Sequence, residues 1–274
     1  MKIVLVGAGR IGLAIAYDLV RSEDVTKVII TDTDANQLGM TRTLLASPKV
    51  EEVVADASQT EILGNLMADA DGVVSAVPYR FNLELTRLAL EHGCHFCDLG
   101  GNNTVVARQF ELHQKAREAK VRVIPDCGLA PGMVSVLVAA GISRLDRTDE
   151  AHIRVGGLPL YPEPPLNYFL LFSATGLINE YTEPVLALRD GRITELEPMS
   201  ELEDIVFPEP FGSLEAFTTS GGASTLPHTY KHRIRDLDYK TIRYPGHCEM
   251  IRLLMKLGLT SDEPETVADL AVRP

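Results

Sequence analysis

Residues 1–12 read MKIVLVGAGRIG, and the fold follows from how they are read. Residues 2–6, KIVLV, are an unbroken aliphatic run of the length of one strand buried on both faces. The run enters Gly7-Ala8-Gly9-Arg10-Ile11-Gly12, a G-x-G-x-x-G. Behind it Ile11, Ile15 and Leu19, with Ala14 and Ala16 beside them, recur at helical spacing to about Ser22. Strand, glycine turn and helix thus follow in the order of a dinucleotide-binding βα unit, with the phosphates on the positive end of the helix. Gly7 permits the tight turn, Gly9 lets backbone N–H groups reach a pyrophosphate, and Gly12 lets helix and strand pack closely. Gly7, Gly9, Arg10, Ile11 and Gly12 are therefore the first cofactor-binding candidates.

Three glycines also occur in ordinary turns, so the context has to carry the reading. Residues 27–31, KVIIT, form a second strand, and Asp32 ends it at the spacing where an acid meets the ribose 2′-hydroxyl. A carboxylate there repels a 2′-phosphate, which favours NAD over NADP, and Asp34 reinforces the preference. Arg10 works against it, because its guanidinium can swing toward a 2′-phosphate.

Strand and helix patterns continue to alternate: strands at residues 50–54, 72–75, 95–99 and 121–124, helices near 59–67, 81–92 and 105–119. Six such alternations predict an α/β fold, a Rossmann-type doubly wound parallel sheet with helices on both faces. Ligands of such sheets bind outside the carboxyl ends of the strands. That rule selects Ser75, Val77, Pro78 and Tyr79 after the fourth strand and Gly100 and Gly101 after the fifth as further cofactor contacts. It also selects Asp126 after the sixth. From about residue 131 the regular alternation ends: a helix over 131–144, a proline-rich stretch, a helix near 166–179, a hairpin at Asp190-Gly191, strands at 153–155, 217–220 and 239–244, and a helix over 247–257. Two domains are expected, a dinucleotide-binding domain over residues 1–130 and an α+β substrate or catalytic domain over 131–274.

A formal charge of −12 over 274 residues argues against nucleic acid or an anionic membrane as partner. No apolar run is long enough to span a bilayer, the chain opens on a strand, and the expected address is the cytoplasm. The four cysteines make no disulfide framework. Cys94-His95-Phe96-Cys97 has C-x-x-C spacing but no second pair to complete a metal site, so these thiols, like Cys127 and Cys248, are expected to pack.

Polar groups concentrate over residues 238–249, DYKTIRYPGHCE. Strand alternation places Lys240, Ile242 and Tyr244 on one face and Tyr239, Thr241 and Arg243 on the other. A nicotinamide enzyme oxidising an amine needs a base to keep the amine neutral and a cation for any substrate carboxylate. Lys240 or His247 is the candidate base, Asp126 the group that holds the substrate ammonium, and Arg243 with Tyr244 the substrate contacts.

The stretches VGAGRIG, SAVPY, DLGGNN, IPDCGLAPGM, VGGLPLYPEPPLNY, FSATGLINEYTEP, FGSLEAFTTSGGASTLP and YKTIRYPGHCEMI resemble the saccharopine dehydrogenase-like family, and most of all its L-lysine 6-dehydrogenase branch. They run from Lys2 to about Leu257. The resemblance implies NAD-dependent oxidative deamination of the ε-amino group of L-lysine to an imine, which water hydrolyses with release of ammonia. In that picture Ser75–Tyr79 and Leu99–Gly101 flank the nicotinamide while Asp126 and YKTIRYPGH face the substrate. Rival readings are a saccharopine or carboxynorspermidine-type reductase, with Arg154 or Arg233 serving a second carboxylate, and an inactive, truncated NAD-binding protein. The family's chain usually continues beyond LAVRP, so the second domain is expected to be incomplete, the site either left open or completed by a second subunit, and the protein a homo-oligomer.

Overall fold

The computed structural model describes residues 1–170, 173–261, 263–267 and 270–272. Its backbone divides into two compact units, Met1–Met133 and Val134–Pro274.

In the first unit β1 (Lys2–Val6), β2 (Lys27–Asp32), β3 (Val50–Val54), β4 (Gly72–Ser75), β5 (His95–Asp98) and β6 (Val123–Ile124) form one sheet in the order β3-β2-β1-β4-β5-β6. Every neighbouring pair is parallel. Between the strands lie α1 (Arg10–Arg21), α2 (Ala35–Leu45), α3 (Thr60–Met67), α4 (Asn82–Glu91), α5 (Asn103–Phe110) and α6 (His113–Ala119). Alternation sends Ile3, Leu5, Val28 and Ile30 to one face of the sheet with Ala16 and Leu38. It sends Val4, Val6 and Ile29 to the other with Leu63, Met67 and Leu85. Both faces are covered, which is why these strands are continuously aliphatic. The strand order reverses between β1 and β4, so the loops after these two strands flank the crevice of the sheet.

Gly7 has φ +103, and a Cβ on Gly12 would lie 2.0 Å from the Gly7 carbonyl oxygen. Both are needed for the turn itself. The single helix expected over 105–119 is two: Asn102 caps α5 by accepting from Val105 N–H at 2.9 Å, and Leu112 then turns in to pack with Leu90, Ala116 and Val121. β6 is only two residues long and, among the described residues, pairs with β5 alone.

The second unit comprises α7 (Met133–Ile142, beginning at the boundary), β7 (Glu150–Val155), α8 (Ala174–Thr182), β8 (Val185–Arg189), β9 (Arg192–Leu196), β10 (Glu203–Val206), β11 (Ser213–Thr218), α9 (Leu226–Tyr230), β12 (Asp236–Arg243), α10 (His247–Lys256), β13 (Glu265–Val267) and β14 (Leu270–Val272). Its main sheet runs β10-β11-β12-β8-β9, with β7 also paired, in parallel, to β12. β12 is the hub: it hydrogen-bonds to β7, β8 and β11. The expected hairpin is β8–β9, whose Asp190 and Gly191 have φ +50 and +72, the paired left-handed residues of a tight hairpin turn. The helix expected near 166–179 starts later, at Ala174, where the Ser173 hydroxyl accepts from Gly176 N–H; residues 171–172 of that expectation lie outside the described residues. Among the described residues no helix is long and apolar enough to cross a membrane.

Candidate active site

At the crevice of the first unit, a Cβ on Gly9 would meet no atom within 4 Å, whereas Gly7 and Gly12 are walled in by backbone. The surface beside Gly9 is thus open to an incoming group, and it coincides with the start of α1, which no side chain caps among the described residues. A helix N-terminus with exposed backbone suits a pyrophosphate, so the turn fits a dinucleotide. Arg10 and Ile11 are both exposed there. Asp32 stands beside them. Its Oδ2 accepts from Ala8 N–H at 2.7 Å and its Oδ1 from Asp34 N–H at 3.0 Å, so the carboxylate staples the glycine turn to the end of β2. Asp34 caps α2 by accepting from Asn36 N–H at 2.8 Å.

Val77, Pro78 and Tyr79 are half-buried in the loop after β4. Ser75 requires a correction. Its side chain is fully buried and its hydroxyl donates to Asn82 Oδ1 at 2.7 Å, so it anchors α4 instead of meeting a cofactor. A buried polar chain continues from there: Thr86 donates to the Asn82 carbonyl, and Gln109 Nε2 donates to Thr86 Oγ1 at 2.9 Å and to Asp98 Oδ2 at 2.6 Å. Asp98 Oδ1 in turn accepts from Gly100 N–H at 2.7 Å and Asp126 N–H at 3.3 Å. Burial pushes the Asp98 carboxyl up, and these hydrogen bonds pull against it. One hidden carboxyl therefore sets the backbone of both Gly100 and Asp126. A Cβ on Gly100 would lie 1.8 Å from Asp126 Oδ1, so the glycine is what lets that carboxylate occupy its place.

In the second unit, Arg243 at the end of β12 is 3% exposed. It donates from Nε to Tyr181 Oη at 3.0 Å and from Nη1 to Thr241 Oγ1 at 2.8 Å and the Ile242 carbonyl at 2.9 Å, with its guanidinium 4.8 Å from the Tyr168 ring centroid. Tyr181 Oη lies 3.1 Å from His247 Nε2, and His247 Nδ1 lies 3.0 Å from the Leu166 carbonyl. A carbonyl only accepts, so Nδ1 carries the proton and Nε2 accepts from the Tyr181 hydroxyl. Burial drives the imidazole down to about 4, the bond to Leu166 opposing and the Arg243 charge assisting, so His247 is neutral at pH 7. Glu180, next to Tyr181 on α8, joins them: burial pushes its carboxyl up to about 7, with the Arg243 charge pulling the other way. Among the described residues Arg243 forms no ion pair within 4.0 Å, although the Glu180 and Arg243 charges act on each other.

Lys240 and Tyr244 do not belong to this cluster. Lys240 projects from the opposite face of β12, where Nζ donates to the Glu201 carbonyl at 2.6 Å and pairs with Glu203 at 2.9 Å. Arg154 pairs with Glu203 at 2.5 Å and with Asp238 at 2.6 Å, and Arg189 with Asp238 at 3.2 Å and Glu201 at 2.8 Å. Burial would raise Asp238 and Glu203, yet hydrogen bonds from Arg154, and from His152 or Lys240, hold both below the usual carboxylate range. Tyr244 donates to the Pro159 carbonyl at 2.8 Å and packs with Leu214 and Ile242. Arg233 lies over the Tyr230 ring. The thiols also divide: Cys94 and Cys248 are buried as expected, Cys97 is half-buried and Cys127 exposed. Among the described residues no group of three or more His, Cys, Asp or Glu is placed to hold a metal ion.

Sequence reasoning passed over Asp98, Tyr168, Glu180 and Tyr181. All four stand inside the stretches singled out above, and Glu180 and Tyr181 sit side by side on α8.

Residues 3–124 match the saccharopine dehydrogenase NADP binding domain, and residues 128–272 the saccharopine dehydrogenase C-terminal domain. A saccharopine dehydrogenase (NADP(+), L-glutamate-forming) of Pyricularia oryzae is 24% identical over 260 residues, covering 86% of this chain and 55% of its own. A carboxyaminopropylagmatine dehydrogenase of Synechocystis is 27% identical over 220 residues, covering 76% of this chain and 54% of its own. The apo saccharopine dehydrogenase (L-Glu forming) of Saccharomyces cerevisiae superposes with a TM-score of 0.75 at 19% identity, covering 97% of this chain and 60% of that one, which shows a shared fold. This chain therefore spans little more than half the length of the relatives it matches. The two matched domains together account for nearly every residue, and the chain belongs to the saccharopine dehydrogenase family.

Proposed function

We propose that this chain binds a nicotinamide dinucleotide, NAD in preference to NADP, and oxidises a CH–NH2 group of an amino acid, the ε-amino group of L-lysine before others. The observation that carries the reading is Arg243: a buried guanidinium with no carboxylate of the protein in ion-pair range among the described residues. An uncompensated buried cation is costly, and a substrate carboxylate is the natural counter-ion. When bound, the nicotinamide supplies the hydride acceptor. Glu180, titrating near neutrality, takes the proton from the substrate ammonium so that the nitrogen lone pair can assist hydride departure. Tyr181 and neutral His247 hold the guanidinium in place. Glu180 thus takes the role considered for Lys240, and Asp126 stays a second candidate for the ammonium.

Asp32 supports NAD, since a carboxylate stapled at that position opposes a 2′-phosphate. The family description and the Pyricularia oryzae relative carry NADP in their names, so cofactor choice is the first measurement. Arg154, the cation that a two-carboxylate substrate was expected to use, is already taken by Glu203 and Asp238, which favours a substrate with one carboxylate. Purified protein given L-lysine and NAD should form reduced nicotinamide and ammonia. Turnover of saccharopine with NADP but none of lysine would overturn the lysine reading, and tight NAD binding with no amine turned over would reduce the chain to a binding protein. For the assembled protein the proposal is a homo-oligomer, read by light scattering.

A further inference from the structure

One face of the β11–β12 pair carries a hydroxyl that the fold leaves unused. The register sets Phe217 opposite Thr241 and Thr218 opposite Lys240, so the next residue, Thr219, comes level with Tyr239. Thr218 turns away, donating to the Glu197 carbonyl at 2.9 Å. Alternation then turns Thr219 to the face of Phe217, Tyr239, Thr241 and Arg243. α8 is held against the same place, because Ser220 N–H donates to the Glu180 carbonyl at 2.9 Å. The Tyr239 ring closes the end of this row. It lies over Gly222, where a Cβ would come within 2.3 Å of it. Thr219 is 1% exposed, and its hydroxyl has no hydrogen-bond partner among the described residues. The neighbouring hydroxyls are taken: Tyr181 accepts from Arg243 and donates to His247, and Thr241 accepts from Arg243 and donates to the Val155 carbonyl. Ser220 donates to the Asn179 carbonyl. A buried hydroxyl without a partner costs free energy that a ligand would relieve.

We propose that the Thr219 hydroxyl accepts an N–H of the substrate amine, at the far end of the substrate from the carboxylate that Arg243 holds. This role rests on the amine oxidation proposed above and names the residue that decides which amine fits. Arg243 Nη1 is held at Thr241, and Thr219 stands level with Tyr239, two residues along the strand. Two residues of strand rise about 7 Å. In L-lysine six bonds of about 1.5 Å separate the carboxylate carbon from the ε-nitrogen, a zigzag of roughly 7–8 Å. The substrate is therefore an amino acid whose amine ends a side chain of four methylenes. L-Ornithine, one methylene shorter, reaches Arg243 or Thr219 but not both well. Glu180 takes one proton from the ammonium, while Thr219 keeps its own proton and accepts a remaining N–H. The nitrogen lone pair so freed is held in one direction for hydride departure.

The test compares Thr219→Val, which keeps the shape and removes the hydroxyl, with Thr219→Ser, which keeps the hydroxyl. Thr219→Val should unfold at the parent's urea concentration or above it, and its affinity for the dinucleotide should not move. Its KM for L-lysine should rise by about tenfold or more, and Thr219→Ser should restore it to within about threefold. The parent should favour L-lysine over L-ornithine in kcat/KM by about tenfold or more, and Thr219→Val should shrink that ratio. If the parent turns over L-lysine and Thr219→Val leaves both KM and the ratio unchanged, the role of Thr219 is overturned and the proposed reaction stands. A loss in Thr219→Val that Thr219→Ser does not restore has the same consequence. So does a Thr219→Val that fails to fold while Thr219→Ser folds, because the fold itself then uses the hydroxyl. A parent that turns over neither amino acid overturns the reaction and this role together.

Discussion

The two faces of β12 carry similar residues and opposite electrostatics. On one, Asp238 and Lys240 sit in a closed set of ion pairs with Arg154, Arg189, Glu201 and Glu203, in which each charge meets its complement. On the other, Arg243 has only neutral acceptors and a carboxyl pushed toward protonation. The first arrangement is what a fold needs to bury charge. The second leaves a buried guanidinium hydrogen-bonded to neutral acceptors, with no carboxylate in ion-pair range among the described residues. Lys240, the most conspicuous candidate in the sequence, is held by Glu203 and the Glu201 carbonyl on one face, and the buried guanidinium of Arg243 lies on the other.

Replacing the central residue of each face should give opposite outcomes. Arg243→Met removes a buried cation that has no carboxylate in ion-pair range among the described residues, so stability should hold or rise while turnover of the amino acid falls roughly a thousandfold, about 4 kcal/mol. Dinucleotide affinity, measured by fluorescence titration, should not move. Asp238→Asn should do the reverse. It strands Arg154 and Arg189 and should cost about 3 kcal/mol in urea unfolding, with turnover of the folded fraction nearly unchanged. A stability loss in Arg243→Met as large as in Asp238→Asn would erase the distinction between the faces.

The pH dependence sharpens the same contrast. His247 titrates at about 4 when folded, below its ordinary 6.5, so stability present above 6.5 is lost as pH falls toward 4. Glu180 titrates at about 7 when folded, above its ordinary 4.5, so stability present below 4.5 is lost as pH rises through 7. Between about pH 4.5 and 6.5 the two slopes oppose each other and nearly cancel. Glu180→Gln removes one of them. Its unfolding free energy should then climb with pH across that window by about 1.4 kcal/mol per unit, where the parent protein is nearly flat. Its turnover should fall by about a hundredfold and lose the rise centred near pH 7. An unchanged rate profile together with the new stability slope would leave Glu180 buried but not the base.

How much of this could be read from the residues depends on the range of the forces involved. The parallel sheet was readable because KIVLV, the glycine turn and KVIIT are local patterns, each interpretable within a dozen residues. The face assignment along β12 was readable for the same reason, since alternation is strictly local. What Lys240 and Arg243 do was not. Lys240 is claimed by Glu203 and Arg243 by Tyr181, partners far along the chain that only the register of β10, β11 and α8 brings near. Ser75 misled for a related reason: its place in the loop suggested a ligand, but the demand of buried Asn82 for a donor took its hydroxyl inward. Cys127 misled because burial is the usual fate of a thiol, and Asp126 turns this one out.

Asp32 combines the logic of both faces, and its substitution is the smallest effect and the finest discrimination. Its inner lone pairs are spent on Ala8 and Asp34, like a scaffold carboxylate, but the group is only half-buried and each oxygen retains a lone pair for a ribose hydroxyl. Asp32→Ala should therefore weaken NADH by about tenfold through the lost ribose contacts, about 1.4 kcal/mol, and lower stability by about 1 kcal/mol through the lost staple. NADPH should lose less than NADH or gain, because the repulsion of its 2′-phosphate goes with the carboxylate. Asp32→Asn separates the two roles. The amide oxygen can still accept one backbone N–H, so part of the stability returns, while the charge that discriminates between the cofactors is gone. Calorimetric titration of both variants with both cofactors gives the answer: if NADH and NADPH weaken equally, Asp32 is scaffold alone, and the preference for NAD falls with it.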